Sequence, residues 1–205
     1  MWPSAYGEMN TKNSAMHGRD LVKEYIEACR AVGLKVGLYF SGPDYYLDRD
    51  YHAFLLNHHT GLDQKYPGQF PDLDLDLNPR PRVVHAPEQL AAHKEYLAKM
   101  IRGQLEELLT HYGKIDVLWL DGPPQSGGDM GDEVMPFSRI RELQPGIIVS
   151  DRFHHHGDFT SVEVGMPQPE RTRLDANEWG EFCDVWAGSW SYTKHPYRPL
   201  RFCPD

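Results

Sequence analysis

Twice in this chain an amphipathic helix ends on a glycine and runs straight into a short, mostly apolar segment, and that repetition limits the fold more than any other feature. From Asp20 to Val32 the apolar residues Leu21, Val22, Tyr25, Ile26, Cys29 and Val32 recur at three- and four-residue steps, and Gly33 stops them. LKVGLYFS, Leu34 to Ser41, comes at once and reads as a strand buried on both faces, closed by Gly42-Pro43. Pro87 starts a second helix whose stripe is Leu90, Leu97, Met100, Ile101, Leu105, Leu108 and Tyr112, ended by Gly113. IDVLWLDG, Ile115 to Gly122, is the strand it feeds. A third unit runs from a short helix near Met135 to Leu143 into IIVSDRF, Ile147 to Phe153, and a fourth apolar segment lies near Phe182 to Trp186.

Helices alternating with strands at about residues 34, 115, 147 and 182 predict right-handed units on a parallel sheet. No GxGxxG or GxxxxGK[ST] comes after a strand, and GGDMG at Gly127 to Gly131 has the wrong spacing, so a nucleotide-binding open sheet is disfavoured. The fold predicted is α/β, a (β/α)8 TIM-like barrel. Such a barrel needs about 250 residues and eight strands. About four units are legible in 205 residues, so the barrel is expected to be incomplete, with residues 1–205 a partial domain. Residues 42–86 show no sustained period and far exceed the usual two-to-six-residue connection, which marks a long, functional loop insertion.

Lys+Arg 21 against Asp+Glu 30 leaves a net charge of −9, which disfavours nucleic acid and anionic membranes as partners. No stretch of about 18 apolar residues occurs, and MWPSAYGEMN lacks the pattern of a signal peptide; the compartment stays open. Cys29, Cys183 and Cys203 form no CxxC pair and suggest neither a disulfide framework nor a zinc knuckle.

Reacting groups in parallel α/β folds sit at the carboxyl ends of strands. Asp121 holds that place after VLWLDG, with Trp119 on the same strand face; the competing reading is a plain Asp-Gly turn. Asp116, at the strand's other end, is expected to be solvated. Arg152 ends the third strand, as a substrate or carboxylate ligand or as a structural ion pair. Glu163 comes after a polar loop, and Glu178 and Glu181 bracket Trp179. Two carboxylates from different strands are what glycoside hydrolysis needs, one as acid and base and the other as nucleophile or base. Trp119, Trp179, Trp186, Trp190 and Tyr192 suit either stacking on a sugar or core packing.

Metal binding has weak support. His154-His155-His156 are adjacent and cannot all converge on one ion from an extended segment, and no HExxH accompanies them or His58-His59. The DLDLD run at Asp72 to Asp76 fails as a calcium loop, with Leu77 at its sixth position and Val83 at its twelfth. Neither a metal nor another cofactor is expected. No GxSxG occurs, and Cys29 lies in a helical stripe, so Ser or Cys nucleophiles are unsupported.

These segments, taken in order, resemble the α-L-fucosidases of glycoside hydrolase family 29. MWPSAY is similar to the segment after that family's His-His-Asp-Gly-Phe motif, RDLVKEYIEACRAVGLKVGLYFS to its third helix-strand unit, and GKIDVLWLDG to its nucleophile strand. SDRF, GDFTSVE and Cys183 to Tyr192 resemble the family's segments beyond that strand. The resemblance implies a retaining, exo-acting fucosidase acting on fucosylated oligosaccharides or glycoconjugates. It implies Asp121 as nucleophile, Arg152 and Tyr39 as fucose contacts, and Trp190 as a pocket wall, beside Trp119. For the acid/base it offers Glu163, placed first, and Glu181, from GEFC where the family has WExC; Gly180 replaces that tryptophan, and Ser191 departs from Trp-Gly-Tyr. The family's first two strands, with their paired histidines, would precede Met1. Three readings stay in play: an active fucosidase, a truncated sugar-binding fragment that hydrolyses nothing, and a metal-dependent barrel hydrolase. A homo-oligomer is compatible with each.

Overall fold

The computed structural model describes residues 1–42, 44, 47, 72–73, 79–80, 85–122, 131–163 and 179–183. Helix α1 spans Leu21–Ala31 and leads into strand β1, Gly37–Ser41. Two short antiparallel strands, β2 (Asp72–Leu73) and β3 (Pro79–Arg80), lie within the region expected to be an insertion, most of which is outside the described residues. Then come α2 (Pro87–Thr110), β4 (Val117–Asp121), α3 (Gly131–Val134), α4 (Phe137–Leu143), β5 (Ile148–Val149), β6 (Phe159–Glu163) and β7 (Trp179–Cys183).

The helix ends obey local chemistry. The Asp20 side chain accepts the Lys23 N–H at 2.9 Å, capping α1, and Gly33 leaves it at φ +76°. Pro87 opens α2, where the Gln89 side chain accepts the Ala86 N–H at 2.9 Å. The stripe expected on α2 is the core: Leu97, Met100, Ile101, Leu105 and Leu108 are buried with Leu38, Phe40, Leu118, Leu120 and Val149 from the sheet. On α1 the stripe is shallower. Ile26 is buried, whereas Tyr25 and Val32 are exposed.

Strands β1, β4 and β5 form a parallel sheet in that order, β6 and β7 a parallel pair, and a parallel bridge from Ser150 to Phe159 joins the two. The parallel arrangement agrees with the helix-strand alternation. Burial on both faces does not hold for β1 and β4. Leu38 and Phe40, then Leu118 and Leu120, face the helices, while Tyr39 is 62% exposed and Trp119 and Asp121 are only partly buried. Helices cover one face among the described residues, and the other face carries the polar and aromatic groups.

Two further departures have clear causes. The third strand stops at Val149 rather than reaching Phe153, because side chains take over the ladder. Ser150 Oγ accepts the Leu120 N–H and donates to the Leu120 carbonyl, both at 2.9 Å, while Asp158 accepts the Val149 N–H at 2.8 Å. The polar loop expected before Glu163 occupies residues 151–158, and its last part, Phe159–Glu163, is instead β6. Asp116 is not a solvated end either. Its carboxylate accepts the Val36 N–H at 2.9 Å and pairs with Lys114 Nζ at 2.9 Å, and these contacts hold its pKa below the usual range. Gln144 plays a similar joining role: its amide donates to the carbonyls of Leu109 (2.6 Å) and Gly113 (2.9 Å), and it accepts the Ile115 N–H at 3.1 Å.

The amino-terminal segment is tied to α2 by one buried carboxylate. Glu107 Oε2 accepts the Trp2 indole N–H at 2.8 Å and the Ser4 hydroxyl at 2.6 Å, and Oε1 accepts the Ala5 N–H at 2.8 Å. Burial alone would raise its pKa, but the three donors outweigh it and the net direction is down. Its stabilisation is therefore fully present above a free glutamate's pKa of 4.5 and is lost as pH falls through the lower folded value. Glu107→Gln should cost about 2 to 4 kcal/mol by breaking this pattern of acceptors. Denaturant unfolding as a function of pH tests this: the wild type should lose its advantage over the variant only below about pH 4.5. A constant gap down to about pH 3 would show that the carboxylate is not the anchor.

Candidate active site

The backbone at Asp121 is held on both sides. Gly42 donates its N–H to the Asp121 carbonyl at 3.0 Å, and Ser150 clasps Leu120 from beside β5. Gly42 is required here, because a Cβ would stand 2.2 Å from the Gly122 carbonyl oxygen. Gly122 itself turns the chain at φ +66°. In register, Ser41 lies opposite Asp121, and Tyr39 opposite Trp119. Alternation then puts Tyr39, Trp119 and Asp121 on the face that the helices leave open.

Side chains from four segments meet there. The Tyr39 hydroxyl donates to Asp121 Oδ2, and Arg152 Nη2 lies 3.3 Å from Asp121 Oδ1. The Tyr39 and Trp119 rings stack with centroids 5.3 Å apart and planes 20° apart. Arg152 also places its guanidinium carbon 5.2 Å from the Trp119 ring centroid, a cation–π contact. The Trp119 indole N–H donates to Glu181 Oε2, and the Cys183 thiol donates to Glu181 Oε1 at 3.2 Å. One indole thus bridges the neighbourhoods of two carboxylates, reaching from its own strand to one 62 residues away.

Of the residues singled out in the sequence, Asp121, Tyr39, Trp119, Arg152 and Glu181 are brought together. Arg152 lies in the turn three residues beyond β5, not on a strand. Glu163 closes β6 opposite Cys183 in register, and its carboxylate is outside the described portion. Trp190, Trp186, Tyr192, Glu178 and His58-His59 lie outside the described residues. Trp179 opens β7 and is 80% exposed. In the sequence Cys183 stands out only for lacking a CxxC partner; its i, i+2 spacing from Glu181 on a strand is the signal that places them side by side.

The three adjacent histidines diverge. His154 is buried, donates Nε2–H to the Met135 carbonyl at 2.7 Å, and is kept neutral by burial, which lowers its pKa. His156 reaches Asp132 Oδ2 at 2.9 Å on the surface, and His155 takes a left-handed conformation at φ +58°. Among the described residues no group of three or more His, Cys, Asp or Glu side chains is placed to hold a metal ion. A cavity of about 560 Å³ opens elsewhere, between the amino-terminal segment, α1 and the end of α2. Three of its charged groups serve the fold: Glu107 holds Trp2, Ser4 and Ala5, Arg30 donates to the Tyr112 and Lys114 carbonyls, and Asp20 accepts from Tyr112. We place the candidate site at Asp121 on the grounds of its convergent polar groups.

The family model for α-L-fucosidase matches residues 1–200. The chain belongs to the α-L-fucosidase family. Among solved family structures, α-L-fucosidase isoenzyme 1 from Paenibacillus thiaminolyticus is 29% identical with a TM-score of 0.60, covering 95% of this chain and 44% of that one. A Bacteroides thetaiotaomicron family 29 α-L-fucosidase, trapped as a covalent intermediate with 2-fluoro-fucosyl fluoride, shares the fold at 21% identity and a TM-score of 0.62. It covers 95% of this chain and 41% of that one. A protein of Oryza sativa subsp. japonica assigned to α-L-fucosidase is 28% identical over 153 residues, 73% of this chain and 22% of its own length. The chain thus spans less than half the length of these family relatives.

The indole bridge has a direct spectroscopic consequence. In a proton–nitrogen correlation spectrum, the Trp119 indole N–H should resonate downfield and move upfield in Glu181→Leu, with the other indole signals in place. An unmoved Trp119 signal would mean that the two side chains do not meet in solution.

Proposed function

We propose that this chain forms part of the catalytic barrel of a retaining, exo-acting α-L-fucosidase that removes terminal α-L-fucose from oligosaccharides or glycoconjugates. The strand order β1-β4-β5, continued to β6 and β7, runs one way, without the reversal of a doubly wound sheet, which supports an arc of a (β/α)8-like barrel. On this reading residues 1–205 are one partial domain. The observation that carries the chemistry is the convergence of Asp121 with Tyr39 and Arg152, joined through Trp119 to Glu181.

In the first displacement an Asp121 oxygen attacks the anomeric carbon, while a carboxylic acid gives its proton to the departing glycosidic oxygen, leaving a fucosyl ester. In the second, the same carboxylate takes a proton from water, the water oxygen attacks the anomeric carbon, and Asp121 departs, so configuration is retained. We assign the acid/base to Glu181, because among the described side chains it is the glutamate tied to the Asp121 neighbourhood; sequence resemblance alone puts Glu163 first. Arg152 and Tyr39 orient the two Asp121 oxygens and, with Trp119, contact the sugar, and Trp190 adds a wall. No cofactor or metal takes part in this scheme.

Azide distinguishes the two roles. Asp121→Ala in the intact protein should lower turnover of an aryl α-L-fucoside by more than about 1,000-fold. Added azide should partly restore it, with β-fucosyl azide as product, since azide enters from the nucleophile's side. Glu181→Ala should instead yield α-fucosyl azide, formed from the enzyme ester. If Glu163→Ala gives that product and Glu181→Ala does not, the acid/base is Glu163. Normal turnover by Asp121→Ala would end the fucosidase reading at this site, and loss of wild-type activity on adding a chelator would point to the metal-dependent hydrolase.

A further inference from the structure

Resting on the assignment of Glu181 as acid/base, we propose that Cys183 is a positioning residue for that glutamate, its thiol holding Oε1 while the Trp119 indole holds Oε2. Residues two apart on a strand point to one face, so β7 sets the thiol beside the carboxylate. The Cys183 sulfur lies 3.2 Å from Oε1, and the indole N–H meets the other oxygen from β4. Cys183 is a free cysteine and only partly exposed.

A thiol suits a carboxyl group that must lose and regain a proton. It is a weak donor to the ionised form and a weak acceptor from the protonated one, so it orients both states without locking either. Burial, then the hydrogen bond and charge of Glu181, pushes the thiol pKa up, which keeps it a neutral donor; the Ser161 hydroxyl, then the charge of Arg152, opposes this in part. Among the described side chains, the charged groups near the pair are Arg152, which also carries Asp121, and Asp151, whose carboxylate accepts the N–H of Ser161, the register partner of Glu181.

A donor to a carboxylate favours its ionised form, so its removal should raise the pKa of the acid and carry the basic limb of the kcat/KM profile upward. Proton donation matters most when the leaving group is poor. In the intact protein, Cys183→Ala should lower kcat/KM for an alkyl fucoside about tenfold while leaving a 2,4-dinitrophenyl fucoside within about twofold. Its basic limb should rise by about half a pH unit or more. Cys183→Ser, which keeps a donor, should restore both properties. If the alanine variant fails to fold, judged by circular dichroism, Cys183→Val supplies the donor-free comparison.

Equal losses on the two substrates, no loss at all, or failure of serine to restore the profile would each overturn the proposal. Glu181→Gln separates that failure from failure of the underlying assignment. A selective alkyl-fucoside defect in Glu181→Gln with normal behaviour in Cys183→Ala removes only the role of the thiol. Full alkyl-fucoside activity in Glu181→Gln removes the acid/base assignment and this inference with it.

Discussion

The parallel pairing of β1 with β4 is the constraint on which the site rests. Its register sets Tyr39 against Trp119 and Ser41 against Asp121, and a slip of β1 by one residue would turn Tyr39 and Ser41 toward the helices. The register has fixed ends. At the start, Asp116 takes the Val36 N–H with its side chain while its own N–H meets the Val36 carbonyl at 2.8 Å. At the finish, Gly42 donates to Asp121, and Ser150 clasps Leu120 from just beyond β5.

From that frame a single connected set of side chains extends across the open face. Asp121 is held by Tyr39 and Arg152, Arg152 lies over Trp119, and Trp119 donates to Glu181. Trp119 therefore does more than offer an apolar surface: its ring meets Tyr39 and Arg152, and its N–H is spent on a carboxylate. A polar network makes a site rigid only when its members are satisfied, and here Glu181 has a donor on each oxygen, while Asp121 has the Tyr39 hydroxyl on one and the Arg152 guanidinium paired with the other. The amino-terminal segment repeats the device on the helix side, where Glu107 gathers three donors.

Much of this is legible in the sequence. The α2 stripe, its Pro87 start and Gly113 stop, and the parallel sense of the sheet come from periodicity and end signals that act within a few residues. Asp121 stands out because it closes an apolar strand. Arg152 and Glu181 stand out as candidates by residue type and place along the chain, whereas Tyr39 is singled out only through resemblance to the family. Asp116 looks solvated in the sequence because its partner, Val36, is 80 residues away. The strand from Ile147 looks too long because Ser150 and Asp158 replace backbone bonds with side-chain ones, a substitution that leaves no mark on hydrophobic pattern. β6 escapes notice because FTSVE is too polar to advertise a strand.

Local chemistry is enough to mark the helices, the apolar strands and the acid that closes β4, because capping, glycine stops and apolar spacing act between near neighbours. Which side chains meet is settled only when the chain folds. Tyr39 reaches Asp121 across 82 residues, Trp119 reaches Glu181 across 62, and Trp2 reaches Glu107 across 105. Such pairs are set by strand register and by the crossovers between strands, and the composition of either partner's neighbourhood carries no record of them.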